Sequence, residues 1–212
     1  SGCGMSGVHL SGIGITPIGK HSDTPLIDLG VAAAELALAD AGLQYSDVGE
    51  VFVSSMLCAP QTGLKVAHRL GRTGIPATAI ESASAGGLVA LRHAVTAVLA
   101  GHAEVALAIG CEKTTALDPG GVVPKPIQFW DRFPPQVHYA IEAARWLHER
   151  GCGPNVLAAV AAKSYNQARS NPTAARQLDH EVTVDEVLAA RVVAEPLTRM
   201  MCSDAAMKVE QQ

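Results

Sequence analysis

The chain predicts an α/β domain built on a mostly parallel sheet, followed by a helical region, and three observations carry that expectation. Short apolar runs alternate with segments of helical period as far as Gly110, the pattern that packs a parallel layer with right-handed crossovers. The run Val105-Ala106-Leu107-Ala108-Ile109-Gly110 is continuously apolar, as a strand covered on both faces requires. Beyond Gly110 the alternation stops, and residues 118–135 hold five of the twelve prolines.

The elements follow in order. The first expected strand is Val8 to Ile15, with Val8, Leu10, Ile13 and Ile15 apolar, ending at Thr16-Pro17. Asp23 or Thr24 then caps a helix from Pro25 to Ala41, with proline in the first turn, Gly42 beyond the end, and Leu26, Leu29, Ala33, Leu36 and Ala37 at helical spacing. Glu50 to Met56 reads as the second strand and Gly63 to Leu70 as a short helix. Ala77 to Glu81 is the third strand, running into the turn Ser82-Ala83-Ser84 and an apolar, buried helix from Ala85 to Ala100, stopped by Gly101. Val105 to Gly110 is the fourth.

The irregular stretch 118–135, with Phe129, Trp130 and Phe133, reads as a surface excursion and a candidate pocket wall or satellite core. Helices are expected over Gln136–Arg150, Val156–Ser170 and Val184–Val192, and Met201–Gln212 offers little that could form a further buried strand. The resulting division is residues 1–115 as an α/β core, 116–200 as an inserted helical region and 201–212 as a tail. Four parallel strands with this ending leave an edge to be paired or covered, so the sequence reads as part of a larger unit.

Composition excludes several classes. A net charge of -4, with 17% charged residues and no basic patch interleaved with aromatics, argues against nucleic acid. Arg92, His93, His102 and Glu104 interrupt the most apolar region, and Ser1 to Gly7 has neither a positive region nor an apolar core, so neither a membrane span nor a secretory signal is expected. The five cysteines are scattered and never spaced C-x-x-C, which suggests reduced thiols in the cytoplasm and no metal site. Gly2-x-Gly4-x-x-Gly7 matches the dinucleotide fingerprint literally, but it precedes a strand and opens no helix, so the nicotinamide reading falls away.

Ser84 is the candidate catalytic residue. A hydroxyl on a tight turn at the start of a helix lies beside N–H groups that lack intrahelical partners, which suits attack on a carbonyl with those amides receiving the oxyanion. The same position suits a plain helix cap. His93, more than two turns along the helix, is poorly placed to act as its base.

The segments Ile13-Gly14-Ile15-Thr16-Pro17, Glu81-Ser82-Ala83-Ser84-Ala85-Gly86-Gly87, Gly110-Cys111-Glu112-Lys113, and Asn171-Pro172 through Thr183-Val184-Asp185-Glu186-Val187-Leu188 to Pro196-Leu197 together resemble a thiolase. They are most similar to the sterol-carrier-protein-type thiolases and the thiolase-like lipid-transfer proteins. The resemblance implies the N-terminal half of an αβαβα layered fold with an inserted helical loop domain, the second half being absent from this sequence. It implies a coenzyme A thioester as substrate, no bound cofactor or metal, and chemistry at the carbon–carbon bond beside the thioester carbonyl, in lipid metabolism. It places Ser84 where thiolases carry a nucleophilic cysteine, and it implies a complementary half or partner subunit supplying the activating groups. It also implies a dimer joined at the strand Ala77–Glu81. Three accounts of Ser84 stay open: a natural serine nucleophile, a subunit that has lost acyl transfer, and an engineered replacement of cysteine. The function expected is thus a thiolase-type acyltransferase component, with a retro-aldol lyase subunit or a non-catalytic acyl-binding scaffold as alternatives.

Overall fold

A computed structural model describes residues 7–19, 21–56, 61–113 and 135–202. The chain divides into two compact units, residues 1–16 with 21–116, and residues 17–20 with 117–212.

The first unit is a three-layer α/β/α sandwich. Its elements are α1 (Leu26–Ala41), β1 (Glu50–Ser54), α2 (Thr62–Leu70), β2 (Ala77–Ile80), α3 (Gly86–Leu99) and β3 (Ala106–Gly110). The strands are parallel in the order β2-β1-β3, with Val51 opposite Ala77 and Leu107, and Ser54 opposite Ile80 and Gly110. Side chains alternate across a strand, and the alternation decides which helix each covers. Val51, Val53, Leu107 and Ile109 form one core with Ala34 and Leu38 of α1 and Val66 of α2. Phe52, between them, turns the other way and joins Ala90, Ala94 and Ala97 of α3, with Ala106 and Ala108 against it. This second interface is built almost wholly of small residues, so α3 lies close on the sheet.

Two expectations are corrected here. Residues 8–15, expected as the first strand, form no strand, and among the described residues the parallel sheet has three strands rather than four. Both edges of β1 are occupied by β2 and β3, and the segment pairs with neither of their outer edges. It lies against α1 instead, where a β-carbon at Gly12 would come within 2.7 Å of the Ala41 nitrogen and one at Gly14 within 2.9 Å of Leu36 Cβ. The Ile13 N–H donates to Asp40 Oδ2 at 2.9 Å, and Leu10 and Ile13 stay exposed. The other correction concerns α3, which is buried on one face only. Gly86, Ala90, Ala94 and Ala97 are covered, whereas Leu88, Leu91 and Leu99 remain 75%, 40% and 66% exposed.

The helix α1 ends as expected, with Gly42 in the left-handed conformation at φ 68°. Its start differs: neither Asp23 nor Thr24 caps it, and the Asp28 and Leu29 N–H groups donate to the Pro25 carbonyl.

The second unit contains α4 (Pro135–Arg150), α5 (Asn155–Ala168), α6 (Val184–Ala189) and an antiparallel pair, β4 (Val192–Ala194) and β5 (Leu197–Thr198). Ala158, Ala162, Val182 and Val187 are its core. The Thr183 hydroxyl accepts from the Glu186 N–H at 3.1 Å, capping α6. Asn166 holds the strand-like approach to α6 on both sides, donating to Val182 O at 2.9 Å and accepting from its N–H at 2.8 Å. The helix expected to reach Val192 stops at Ala189, because the β-branched pair Val192-Val193 enters the small hairpin instead. Phe129, Trp130 and Phe133, and the tail after Cys202, lie outside the described residues.

Candidate active site

In a parallel α/β sheet the carboxyl ends of the strands face the crevice where ligands bind, and Ser84 stands at that end. From β2 the chain passes Glu81 and Ser82, makes a 3₁₀ turn over Ala83–Ala85 and enters α3 at Gly86. The turn is strained at Ala83, whose φ is 43° although it carries a β-carbon. The Glu81 carboxylate fixes it by accepting the Ala83 N–H at 2.7 Å, and the Ala85 N–H donates to Ser82 O at 3.0 Å.

Ser84 is exposed, and no side-chain cap bond forms at the N-terminus of either the 3₁₀ turn or α3. Its hydroxyl caps nothing, so of the two sequence readings of this residue the helix cap falls away. The neighbouring strand end decides how closely the turn can approach. A β-carbon at Gly86 would collide with Ser54 Oγ and lie 3.2 Å from Ser54 Cβ, so only glycine lets α3 begin here. A β-carbon at Gly110 would likewise lie 3.4 Å from the Gly87 Cα.

A carboxylate clamp beside this turn was not singled out from the sequence. Glu112, just past β3, accepts the Met56 N–H at 2.8 Å and the Lys113 N–H at 3.0 Å, tying the exits of β1 and β3 together. Lys113 extends the tie by donating from Nζ to the Thr24 carbonyl at 2.8 Å. The Cys111 N–H donates to Ser54 O and the Ser55 N–H to Ile80 O, so all three strand exits are bonded to one another. In the sequence these residues stood out only within the segment Gly110-Cys111-Glu112-Lys113 that carries the resemblance, with no clamp role attached. The Ser55 hydroxyl oxygen is buried and lacks a hydrogen-bond partner, leaving one donor unspent among these exits.

Among the described residues, Ser84 has no hydrogen-bonded base. The His93 ring stacks on Phe52, centroids 5.8 Å apart, on the sheet-facing side of α3. Among the described residues no His/Cys/Asp/Glu cluster could hold a metal ion, no helix is long and apolar enough to cross a membrane, and Cys111, Cys152 and Cys202 are free thiols.

Residues 12–203 match the family described as "Thiolase, N-terminal domain", and the chain belongs to that family. It is 32% identical to an acetyl-CoA acetyltransferase of Methanothermobacter thermautotrophicus, the match covering 94% of this chain and 54% of the relative. It is also 32% identical to the benzoylsuccinyl-CoA thiolase subunit BbsB of Thauera aromatica, over 92% of this chain and 51% of that protein. Among solved structures, the Ltp2-ChsH2(DUF35) aldolase superposes with a TM-score of 0.72 at 24% identity, over 92% of this chain and 51% of that one. The chain thus spans about half the length of these relatives.

Proposed function

We propose that this chain is the nucleophile-bearing half of a thiolase-like acyl-CoA enzyme, acting on the carbon–carbon bond next to a thioester carbonyl. The observation that carries the reading is the turn itself: Ser84 is exposed, uncapped and held by a strained Ala83 at the carboxyl ends of three parallel strands. In the acyl-transfer step the Ser84 oxygen attacks the thioester carbonyl, the C–S bond breaks, and the coenzyme A sulfur leaves with the proton from the hydroxyl. A hydroxyl needs a positioned base for this, and His93 is engaged with Phe52. The base therefore comes from a complementary half or partner subunit. The exposed apolar face of α3, with Leu88, Leu91 and Leu99, is the surface that such a half covers, and the open edge of β2 is available for pairing with a second copy.

That no base is hydrogen-bonded to Ser84 among the described residues favours one second reading, a lyase of the retro-aldol type in which no acyl-enzyme forms. Incubation with a series of acyl-CoAs, with and without the complementary half, and measurement of intact mass separates the two. An acyl adduct mapped to Ser84 supports acyl transfer. Turnover in the complex without any adduct, and unchanged in Ser84→Ala, refutes it in favour of the lyase. Absence of both adduct and turnover in the complex leaves only a non-catalytic acyl-binding scaffold.

A further inference from the structure

The first unit carries a second cleft, away from Ser84. It has a volume of about 810 Å³, within the ~300–1,000 Å³ usual for small-molecule sites. Its floor is apolar, from Ile27 of α1, Tyr45, Leu64 and Ala67 of α2, and Ile75 and Ala77 leading into β2. Its rim carries Lys65, His68, Arg69 and Arg72, and among the described residues no carboxylate lines it. The sequence explains the imbalance: from Val51 to Ile80 the chain has Lys65, Arg69 and Arg72 and no Asp or Glu, in a protein of net charge -4. Helical spacing then puts Lys65, His68 and Arg69 on one side of α2, and Arg72 follows in the loop just beyond it.

Arg69 is paired with Asp28 at 3.3 Å. Among the described residues neither Lys65 nor Arg72 has an ion-pair partner. Like charges gathered around a half-enclosed apolar floor raise the local potential and favour an anion. The Tyr45 ring, packed where a β-carbon at Gly71 would come within 2.9 Å of it, gives the floor an aromatic face.

We propose that this cleft binds a soluble organic phosphate of nucleotide type, its planar ring on the Tyr45–Ile75 floor and its phosphates between Lys65 and Arg72. Its position separates it from the candidate active site. The loop Gly71–Ile75 and Ala77 lie at the amino end of β2, whereas Ser84 follows the carboxyl end, and four residues of strand span ~13 Å. The cleft thus opens at the opposite strand ends from Ser84, and the proposal stands on its own lining and not on the acyl-transfer reading.

Isothermal titration of the purified chain tests it, with ADP, adenosine and inorganic pyrophosphate as separate probes. The expected result is saturable ADP binding that weakens with salt, at least tenfold weaker in Lys65→Gln/Arg72→Gln. All three side chains are exposed in Lys65, Arg72 and Leu64, so these variants leave the core intact. Leu64→Asn is expected to weaken ADP and adenosine while leaving pyrophosphate unchanged, which distinguishes a floor contact from charge alone. No saturation with ADP, or equal affinity for ADP and pyrophosphate in every variant, overturns the proposal.

Discussion

Replacing Gly86 by alanine tests the packing on which the Ser84 turn depends. The added carbon collides with Ser54 Oγ and sits 3.2 Å from Ser54 Cβ, inside the ~3.5–4.0 Å optimum for two carbons. Ser54 is buried and lies in the middle strand, paired on both sides, so it has little room to retreat. Overpacking of this kind costs about 1–3 kcal/mol, and replacing glycine in a helix offsets roughly 0.5–1 kcal/mol of it. The net expected loss is about 1–2 kcal/mol. Ser54→Ala removes the colliding oxygen and leaves only the tight carbon contact, so Gly86→Ala should cost less than about 0.5 kcal/mol in that background, a coupling of roughly 1 kcal/mol. Urea unfolding of the four proteins, followed by far-ultraviolet circular dichroism, gives the cycle. Equal costs in the two backgrounds, or a stabilised single variant, would refute the argument that Gly86 exists to admit Ser54.

Further expectations follow from the same geometry. Gly14→Ala forces residues 8–16 off α1, and hydrogen exchange at Ile13, whose N–H is bonded to Asp40, should accelerate while the sheet amides stay protected. Val51→Ala, at a fully buried position between both neighbouring strands, should cost about 2–3 kcal/mol by denaturant unfolding. Leu88→Lys should leave the stability of the chain within about 0.5 kcal/mol, since the side chain is exposed, yet abolish association with a complementary half in sedimentation velocity. In the second unit, His180 is bonded to Asp179 and Glu186, each at 3.1 Å, and these two carboxylates raise its pKa, Asp179 contributing most. A raised histidine stabilises the fold below its unfolded value of about 6.5 and loses that contribution as pH climbs through the folded value. The stability difference between the native chain and His180→Gln should therefore be largest on the acid side of pH 6.5 and fade above it. Asp179 is lowered, chiefly by its hydrogen bond to His180, so its part is lost as pH falls through its folded value.

By itself the sequence determined the local grammar. The parallel sheet was legible because Val51-Phe52-Val53 and Leu107-Ala108-Ile109 are apolar on both faces, and a strand so constituted needs cover on both sides. Helix α1 and the Gly42 stop were legible because each depends on residues within a few positions of one another. The turn at Ser84 was legible as a place, from small residues between an apolar strand and an apolar helix. Competition for space was not legible. Residues 8–15 have a strand's composition, but they lie on α1, where Gly12 and Gly14 admit the backbone, which only the assembled unit decides. Helix α3 is apolar nearly all round, and sequence could not say that Ala90, Ala94 and Ala97 are buried on the sheet while Leu88, Leu91 and Leu99 stay exposed. Whether the Ser84 hydroxyl caps α3 was a choice between two geometries of one turn, and the Glu81 bond to the strained Ala83 made it. The clamp at Glu112 joins residues 56 positions apart, and the cleft beside Tyr45 gathers α1, α2 and the approach to β2. Contacts at that separation leave no periodic trace along the chain, because the chain closes them only after its local elements have packed.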